Sequence, residues 1–297
     1  RSLYAAYRDE QVQVASAALA LLAPMLGDKA HDTLRAVVSD APALLGAVLE
    51  IAAGLPWNLA AVDGWIEKAV SSPAEVRAGI VDMLGRSGPD AAADFIVGCL
   101  QDPDRAVRLA AIRSAPLVDS APFLGLLGQA DAEEAAALKA ALLRFHADEV
   151  VPGAARLIDE TPHPGKAVLI DVLGEKGARE EMDRVFALSS DAEPATRAAA
   201  MGALANLAGE RDLPRLVERL EGATDADDII HLQAAVAAAA ARGADPAREG
   251  AVLIDLMNGA SPARKAAILR VLPKVGGASA LKAVLSLIHI SEPTRPY

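Results

Sequence analysis

The sequence predicts an all-α fold, a right-handed α-solenoid of about nine stacked helix-turn-helix repeats. A basic residue, followed by small residues and then an aliphatic residue, recurs at intervals of 27 to 34 residues. Helix start signals recur at a similar interval. No stretch of the sequence shows the alternation of polar and apolar residues that is typical of a strand. A period in this range indicates stacked helix pairs rather than a globule with one active cleft.

The recurring basic residue marks the first helix of each repeat. Its side chain can bond to nearby turn carbonyls or to acids, so we interpret the series as structural. A track for anions is the alternative, and the net charge of −11 at pH 7 disfavours it. The series comprises Arg77, Arg108, Lys139, Lys166, Arg197 and Lys265, with Gln13, Leu45 and His231 in the same place.

The third repeat shows the helix pattern most clearly, whereas the first two lack the basic residue. Ser72 and Glu75 form a capping box around Pro73, and Val76 and Ile80 begin an apolar stripe at helical spacing. Short connections between the helices are typical of antiparallel helix hairpins. The predicted helix pairs occupy residues 9–39, 41–70, 72–101, 102–129, 131–160, 162–189, 191–221, 224–258 and 260–284.

The later repeats begin at similar signals. A proline in the first turn costs no helix hydrogen bond, and a polar side chain before it can accept from the free amides. In the eighth repeat, Asp225, Asp227 and Asp228 complement the positive end of the helix dipole. The other signals are Asp102-Pro103, Asp131 with Glu134, His163-Pro164, Glu193-Pro194 and Ser261-Pro262.

Composition narrows the classes of partner. The 297 residues are 53% hydrophobic but only 3% aromatic, which leaves few side chains on which bases or sugars could stack. An acidic chain repels phosphate backbones, so we expect no nucleic acid partner. The one cysteine, Cys99, excludes an internal disulfide and leaves the compartment open between cell envelope and cytoplasm. No apolar run is long enough to predict a membrane span.

Three segments carry a resemblance to a known family. The segment Asp-Pro-Asp-Arg-Ala-Val-Arg-Leu-Ala-Ala-Ile at 102–112 resembles the first helix of a HEAT repeat, as does 193–204. The segment 211–220 resembles the second helix. The likeness covers nearly all of 9–284 and identifies an armadillo-like, HEAT-type solenoid. The segment 273–281 is similar to repeats of multidomain bacterial proteins of the cell envelope, which often carry a catalytic or binding domain elsewhere.

Both ends of the sequence look truncated, so we expect a fragment of a longer protein and a metagenomic origin. Residues 285–297 break the helical pattern and resemble the translation of a sequencing adaptor. We therefore predict a solenoid over 1–284 and a non-native or disordered tail over 285–297.

The resemblance implies a non-catalytic, protein-binding scaffold that is part of a larger bacterial protein. We expect no enzyme activity, no cofactor and no metal site in this chain, and a protein or peptide as its partner. Two alternatives stay open. One is a spacer domain of an envelope enzyme whose catalytic domain lies outside this sequence. The other, less favoured, is a HEAT-like DNA glycosylase or lyase, which needs a basic groove.

Candidate binding residues lie where the second helices line a concave face. Trp57 and Trp65 are eight residues apart, so they form either an aromatic lip or part of the core. Mixed charge on the other positions suits a protein surface, although any solvated helix face also has it. The candidates are Trp57, Asp63, Trp65, Arg156, Arg179, Asp183, Arg215 and Arg219.

Other reactive side chains have simpler interpretations. Asp227, Asp228 and His231 share one helix face and could bind a metal, but we favour a helix-terminus role for the acids and a basic-series role for the histidine. The remaining repeat histidines, including His31, stand alone and are interpreted as surface or capping residues. Cys99 lies in an apolar run and is predicted to be inert core.

Overall fold

A computed structural model describes residues 3–87, 89–114, 119–242, 251–275 and 285, with the backbone alone for 3–10. This part of the chain is all-α and contains no strand. The prediction of an all-α solenoid is therefore confirmed. The first eight helices are α1 Leu3–Leu22, α2 Ala30–Asp40, α3 Leu45–Ala53, α4 Leu59–Val70, α5 Ala74–Ser87, α6 Ala93–Gly98, α7 Arg105–Ser114 and α8 Ala121–Leu126. The others are α9 Ala132–Leu142, α10 Ala147–Leu157, α11 Gly165–Glu175, α12 Met182–Leu188, α13 Pro194–Leu207, α14 Leu213–Gly222, α15 Ala226–Ala241, α16 Ala251–Met257 and α17 Pro262–Val275.

The helices pair as the sequence predicts, each odd-numbered helix being the first of its repeat. Helix α1 begins at Leu3, earlier than expected, because Ala-rich and aliphatic residues extend the helical pattern toward the start. The predicted second helix of the ninth repeat lies outside the described residues. Of the tail at 285–297, only Leu285 is described, so the tail stays a prediction.

The chain divides into two compact units, Arg1–Leu126 and Leu127–Tyr297. In the first unit, α3, α5 and α7 pack on one another in succession, and α2 packs on α4. In the second unit, the same succession runs through α9, α11, α13, α15 and α17. Each unit is thus built by stacking the first helices of consecutive repeats, as expected of a solenoid.

Local side-chain bonds define where several helices begin. The Asp131 carboxylate accepts from the backbone amides of Glu133 and Glu134 at 2.9 Å, and Glu134 accepts from the Asp131 amide at 3.1 Å. This reciprocal capping box begins α9. The Asp225 carboxylate accepts from the amides of residues 227 and 228 and begins α15. These bonds satisfy amides that have no partner within the helix.

Small residues let the first helices approach closely. A Cβ atom on Gly174 of α11 would lie 2.7 Å from the Cβ of Ala203 in α13. Around such contacts the core is filled by aliphatic side chains that have no exposed surface, such as Leu169 and Leu173 of α11 and Leu204 of α13. The Ala- and Gly-rich composition therefore allows tight stacking between repeats rather than a large aromatic core.

Candidate functional site

Basic side chains tie neighbouring repeats together in the first unit. Arg77 of α5 donates from Nε and Nη2 to the Asp102 carboxylate, at 2.9 and 3.2 Å, and from Nη1 to the Ser72 carbonyl at 3.0 Å. Arg108 of α7 donates from Nη1 to the carbonyls of Asp102 and Pro103, each at 3.0 Å. The loop before α7 is therefore bonded to the first helices of two successive repeats.

The same arrangement recurs in the second unit. Lys139 of α9 donates to the Asp171 carboxylate of α11 at 2.6 Å. Arg197 of α13 donates from Nε to Asp228 of α15 at 3.2 Å and from Nη1 to the Asp191 carbonyl at 3.0 Å. At these four positions of the series, the predicted structural role is confirmed.

A second set of contacts links successive second helices. The Arg184 guanidinium of α12 pairs with Asp159, which follows α10. Arg215 of α14 donates from Nη1 to Asp183 of α12 at 2.5 Å and from Nη2 to Asp212 at 2.6 Å. Consecutive second helices of this unit are thus held at a fixed spacing by charged side chains.

An open groove of about 490 Å³ lies among α12, α13, α14 and α15 in the second unit. We call the lining residues of the second helices α12 and α14 its walls, and the Arg197–Asp228 ion pair, from α13 and α15, its floor. We call it the arginine groove, defined by Phe186, Ser189, Arg197, Arg215, Arg219 and Asp228.

Two arginines in the walls differ in how firmly they are held. The Arg215 guanidinium carbon lies 4.8 Å from the Phe186 ring centroid. Burial lowers the pKa of Arg215, but its hydrogen bonds to Asp183 and Asp212 outweigh burial and leave the pKa above its ordinary value. Arg219, by contrast, donates to the Ser190 hydroxyl and pairs with no carboxylate in the described part of the chain. Arg215 is therefore held in place as part of the groove wall, whereas the charge of Arg219 is available to another partner.

The structure brings only part of the predicted site together. Arg215 and Arg219 share the arginine groove, and exposed Asp183 reaches it through Arg215. Arg156 of α10 and Arg179, before α12, are exposed and lie outside the groove lining. The other three candidates belong to the first unit: Trp57, Asp63, which is exposed on α4, and Trp65.

Trp65 is a core residue, with 0% of its surface exposed. Its indole Nε1 donates to Nδ1 of His31 in α2 at 3.0 Å. The prediction that Trp65 lines an open face is therefore wrong, and the alternative core interpretation is right. A buried indole N–H requires an acceptor, and the histidine one repeat earlier in the sequence supplies it.

His31 is also buried, so its interpretation as a surface or capping residue is wrong. Since Nδ1 accepts from Trp65, the ring proton is on Nε2, which donates to the Pro56 carbonyl at 3.1 Å. The ring of half-buried Trp57 packs on His31 with centroids 4.5 Å apart. His31, Trp57 and Trp65 thus form an aromatic cluster that fixes the turn between α3 and α4.

This cluster predicts that the first unit is sensitive to acid. Burial lowers the pKa of His31, aided by the Arg35 charge, although the bond to Pro56 and the Asp32 charge oppose that shift. The unfolded chain therefore takes up this proton near the ordinary pKa of about 6.5, while the folded chain takes it up only at lower pH. We expect stability to fall as pH decreases below about 6.5, by at most about 1.4 kcal/mol per pH unit, until the folded imidazole is itself protonated.

Thermal unfolding followed by circular dichroism between pH 5 and 8 measures this dependence. His31→Gln is the matched variant, because it keeps polarity but does not titrate. Its melting temperature is expected to change less than that of the wild type over the pH range. Parallel curves for the two proteins would contradict the assignment of the acid sensitivity to His31.

A smaller groove in the first unit has a similar floor. It measures about 340 Å³, and the Arg77–Asp102 ion pair lies in it beside Cys99. Cys99 is buried, and burial raises the pKa of its thiol to about 11. The burial confirms that Cys99 is a core residue, and a pKa this high keeps its thiol protonated at neutral pH.

The acids at the start of α15 are occupied by structural contacts. Asp225 caps the helix, and Asp228 pairs with Arg197. The Nδ1 atom of His231 is buried and has no hydrogen-bond partner within the described residues. Across the same residues, no three or more metal-binding side chains cluster.

Stacked helix pairs joined by a series of basic residues define an α-solenoid repeat protein. Residues 62–156 match the family model of HEAT repeats, which together with the all-α architecture supports a HEAT-repeat protein. No curated protein is detectably similar to the chain in sequence. Among the described residues, no helix is long and apolar enough to cross a membrane.

Proposed function

We propose that this chain is a non-catalytic scaffold whose HEAT repeats bind a protein partner, as part of a larger multidomain bacterial protein. One observation carries the proposal: charged side chains space the second helices α12 and α14 while an open groove remains between them. Arg215 is central to this arrangement, because it bonds to both Asp183 and Asp212 and packs on Phe186.

Affinity in such a scaffold comes from many contacts on side chains that are already ordered. Arg215 and Arg197 are held by carboxylates before a partner arrives, so binding costs less side-chain entropy than it would with free arginines. Aromatic and arginine side chains are also the residue types that contribute most to protein interfaces. Both features favour a protein or peptide ligand.

The charge distribution argues against the DNA glycosylase alternative. Arg197 and Arg215 are neutralised by acids, whereas DNA binding requires cations that are free to replace phosphate counterions. The spacer alternative differs in predicting no partner on these helix faces. A negative binding experiment would therefore favour the spacer alternative.

A peptide-display selection on the immobilised protein tests the proposed function. We expect enrichment of a shared motif, binding of its synthetic peptide at micromolar concentrations by calorimetry, and weaker binding to Phe186→Asp. Arg156→Glu, outside the groove, is the matched control and should bind like the wild type. No shared motif after repeated rounds would favour the spacer, and tight, salt-sensitive binding of a DNA duplex in a gel shift would favour the glycosylase.

A further inference from the structure

The two grooves occupy equivalent places in their repeats. Each lies between consecutive second helices and has an arginine of the basic series, paired with an aspartate, at its floor. Five lining positions correspond at a separation of 120 residues, whereas the paired aspartates, Asp102 and Asp228, are 126 residues apart and do not correspond. The corresponding pairs are Arg77 and Arg197, Phe95 and Arg215, Gly98 and Glu218, Cys99 and Arg219, and Asp102 and Gly222.

The walls of the two grooves differ, although each groove has an Arg–Asp ion pair at its floor. The first unit has Phe95, Gly98 and Cys99 at the wall positions, and α5 stacks on α3 and α7 there without charged walls. The second unit has Arg215, Glu218 and Arg219 there instead. Stacking alone therefore does not require the charges in the arginine groove.

Most of the charged side chains that line the arginine groove are neutralised by ion pairs within the protein, and two are not. Arg197 pairs with Asp228, and Arg215 pairs with Asp183 and Asp212. Arg219 and Glu218 remain, and neither forms an ion pair with any described residue. These neighbours on α14 place one cation and one anion side by side at the groove.

We propose that the arginine groove binds a partner segment in which a single acidic side chain is flanked by basic ones. The ligand carboxylate pairs with Arg219, and a neighbouring ammonium pairs with Glu218. Apolar parts of the segment pack on the half-buried ring of Phe186, which also lines the groove. The groove volume of about 490 Å³ lies in the range of sites for compact ligands, about 300–1,000 Å³. This inference rests on the proposed binding function and names the chemistry of its ligand.

The charge pattern makes the specificity distinctive. A run of acids would bring a second carboxylate against Glu218, so a uniformly acidic peptide should bind less well than a mixed one. The net charge of −11 attracts cationic peptides in general. The negative net charge of the protein by itself disfavours a peptide with an added carboxylate. Tighter binding of such a peptide would therefore indicate a local contact with Arg219.

Three octapeptides of otherwise equal sequence provide the probes, with Lys-Glu-Lys, Lys-Gln-Lys or Glu-Glu-Glu at the centre. Titrations are followed by NMR through the Arg Nε–H signals and the backbone amides of Gly222, Ala223 and Thr224. We expect the Lys-Glu-Lys peptide to bind about tenfold more tightly than either of the others, because one charge-assisted hydrogen bond contributes on that scale.

Arg219→Glu and Arg156→Glu form the matched pair of variants, with the same charge change inside and outside the groove. Both positions are on second helices without carboxylate partners among the described residues, so their melting temperatures should stay near that of the wild type. Arg219→Glu should reverse the order of the first two peptides, and Arg156→Glu should retain the wild-type order.

Other results would separate the two levels of the proposal. Equal binding of all three peptides, or an unchanged order in Arg219→Glu, would overturn the ligand chemistry while leaving the scaffold function intact. Failure of all three peptides to shift the groove signals, alongside a motif from the display selection, would also overturn it. Failure of both experiments would remove the scaffold function itself.

Discussion

Replacing Trp65 by alanine is expected to lower the free energy of unfolding by about 3–5 kcal/mol, the range for truncating a large buried aromatic side chain. Trp65 of α4 is entirely buried and donates a hydrogen bond to His31 of α2. Truncation removes its apolar contacts, leaves a cavity, and deprives the buried imidazole Nδ1 of its donor. The Arg35 guanidinium, 6.0 Å from the indole centroid, also loses the aromatic surface beneath it.

Urea unfolding monitored by circular dichroism measures the effect, with Trp57→Ala as the matched control. Trp57 is half-buried, and its indole nitrogen has no partner among the described residues. Its truncation should therefore cost less than half as much as the truncation of Trp65. Equal losses in the two variants would contradict the assignment of Trp65 to the core and Trp57 to the edge of the cluster.

Features encoded by short-range chemistry could be predicted from the sequence. The capping box of Asp131 and Glu134 involves residues three apart, and the resulting bonds lie within one helical turn. The basic series was also predictable, because residues such as Arg77 bond to a carbonyl five residues earlier and to an acid one repeat later. Periodicity was therefore sufficient to predict the helix pairs and the structural role of the basic series.

The aromatic cluster and the groove depend on contacts that periodicity does not resolve. His31 and Trp65 lie in different repeats, and only the rotation of α2 against α4 decides that their rings meet. A lone histidine in a helix gives no sign of this orientation. A useful sign would have been their separation of 34 residues, close to one repeat. It places the histidine and the tryptophan on the second helices of successive repeats, His31 in the first turn of α2 and Trp65 one turn further along α4.

To predict the groove, side-chain contacts across repeats would have been needed as well as the helix positions. Arg215 and Arg219 could be assigned to a second helix from the sequence, but their availability depends on which acids lie within reach. The structure gives Arg215 two carboxylates and Arg219 a hydroxyl. The difference between a wall and a binding group thus arises from side-chain geometry across repeats rather than from residue type.

Two glycine-to-alanine substitutions are expected to have opposite effects on stability. Gly174 of α11 faces α13 so closely that an added Cβ would lie 2.7 Å from the Cβ and 2.9 Å from the Cα of Ala203. Because backbone must move to relieve this contact, Gly174→Ala should destabilise the second unit by about 1–3 kcal/mol despite the better helix propensity of alanine. Gly202, on the exposed side of α13, has no atom within 4 Å of an added Cβ. Gly202→Ala should stabilise the protein by about 0.5–1 kcal/mol.

Thermal and urea unfolding of the two variants measure these changes in stability. The chemical change is the same, and both residues lie in helices of the second unit, so the helix propensity of alanine favours both substitutions. A difference in sign therefore isolates the cost of separating α11 from α13. Stabilisation by both substitutions would mean that these helices have room between them. Tight stacking of the first helices would then be the wrong account of how α11 and α13 are held together.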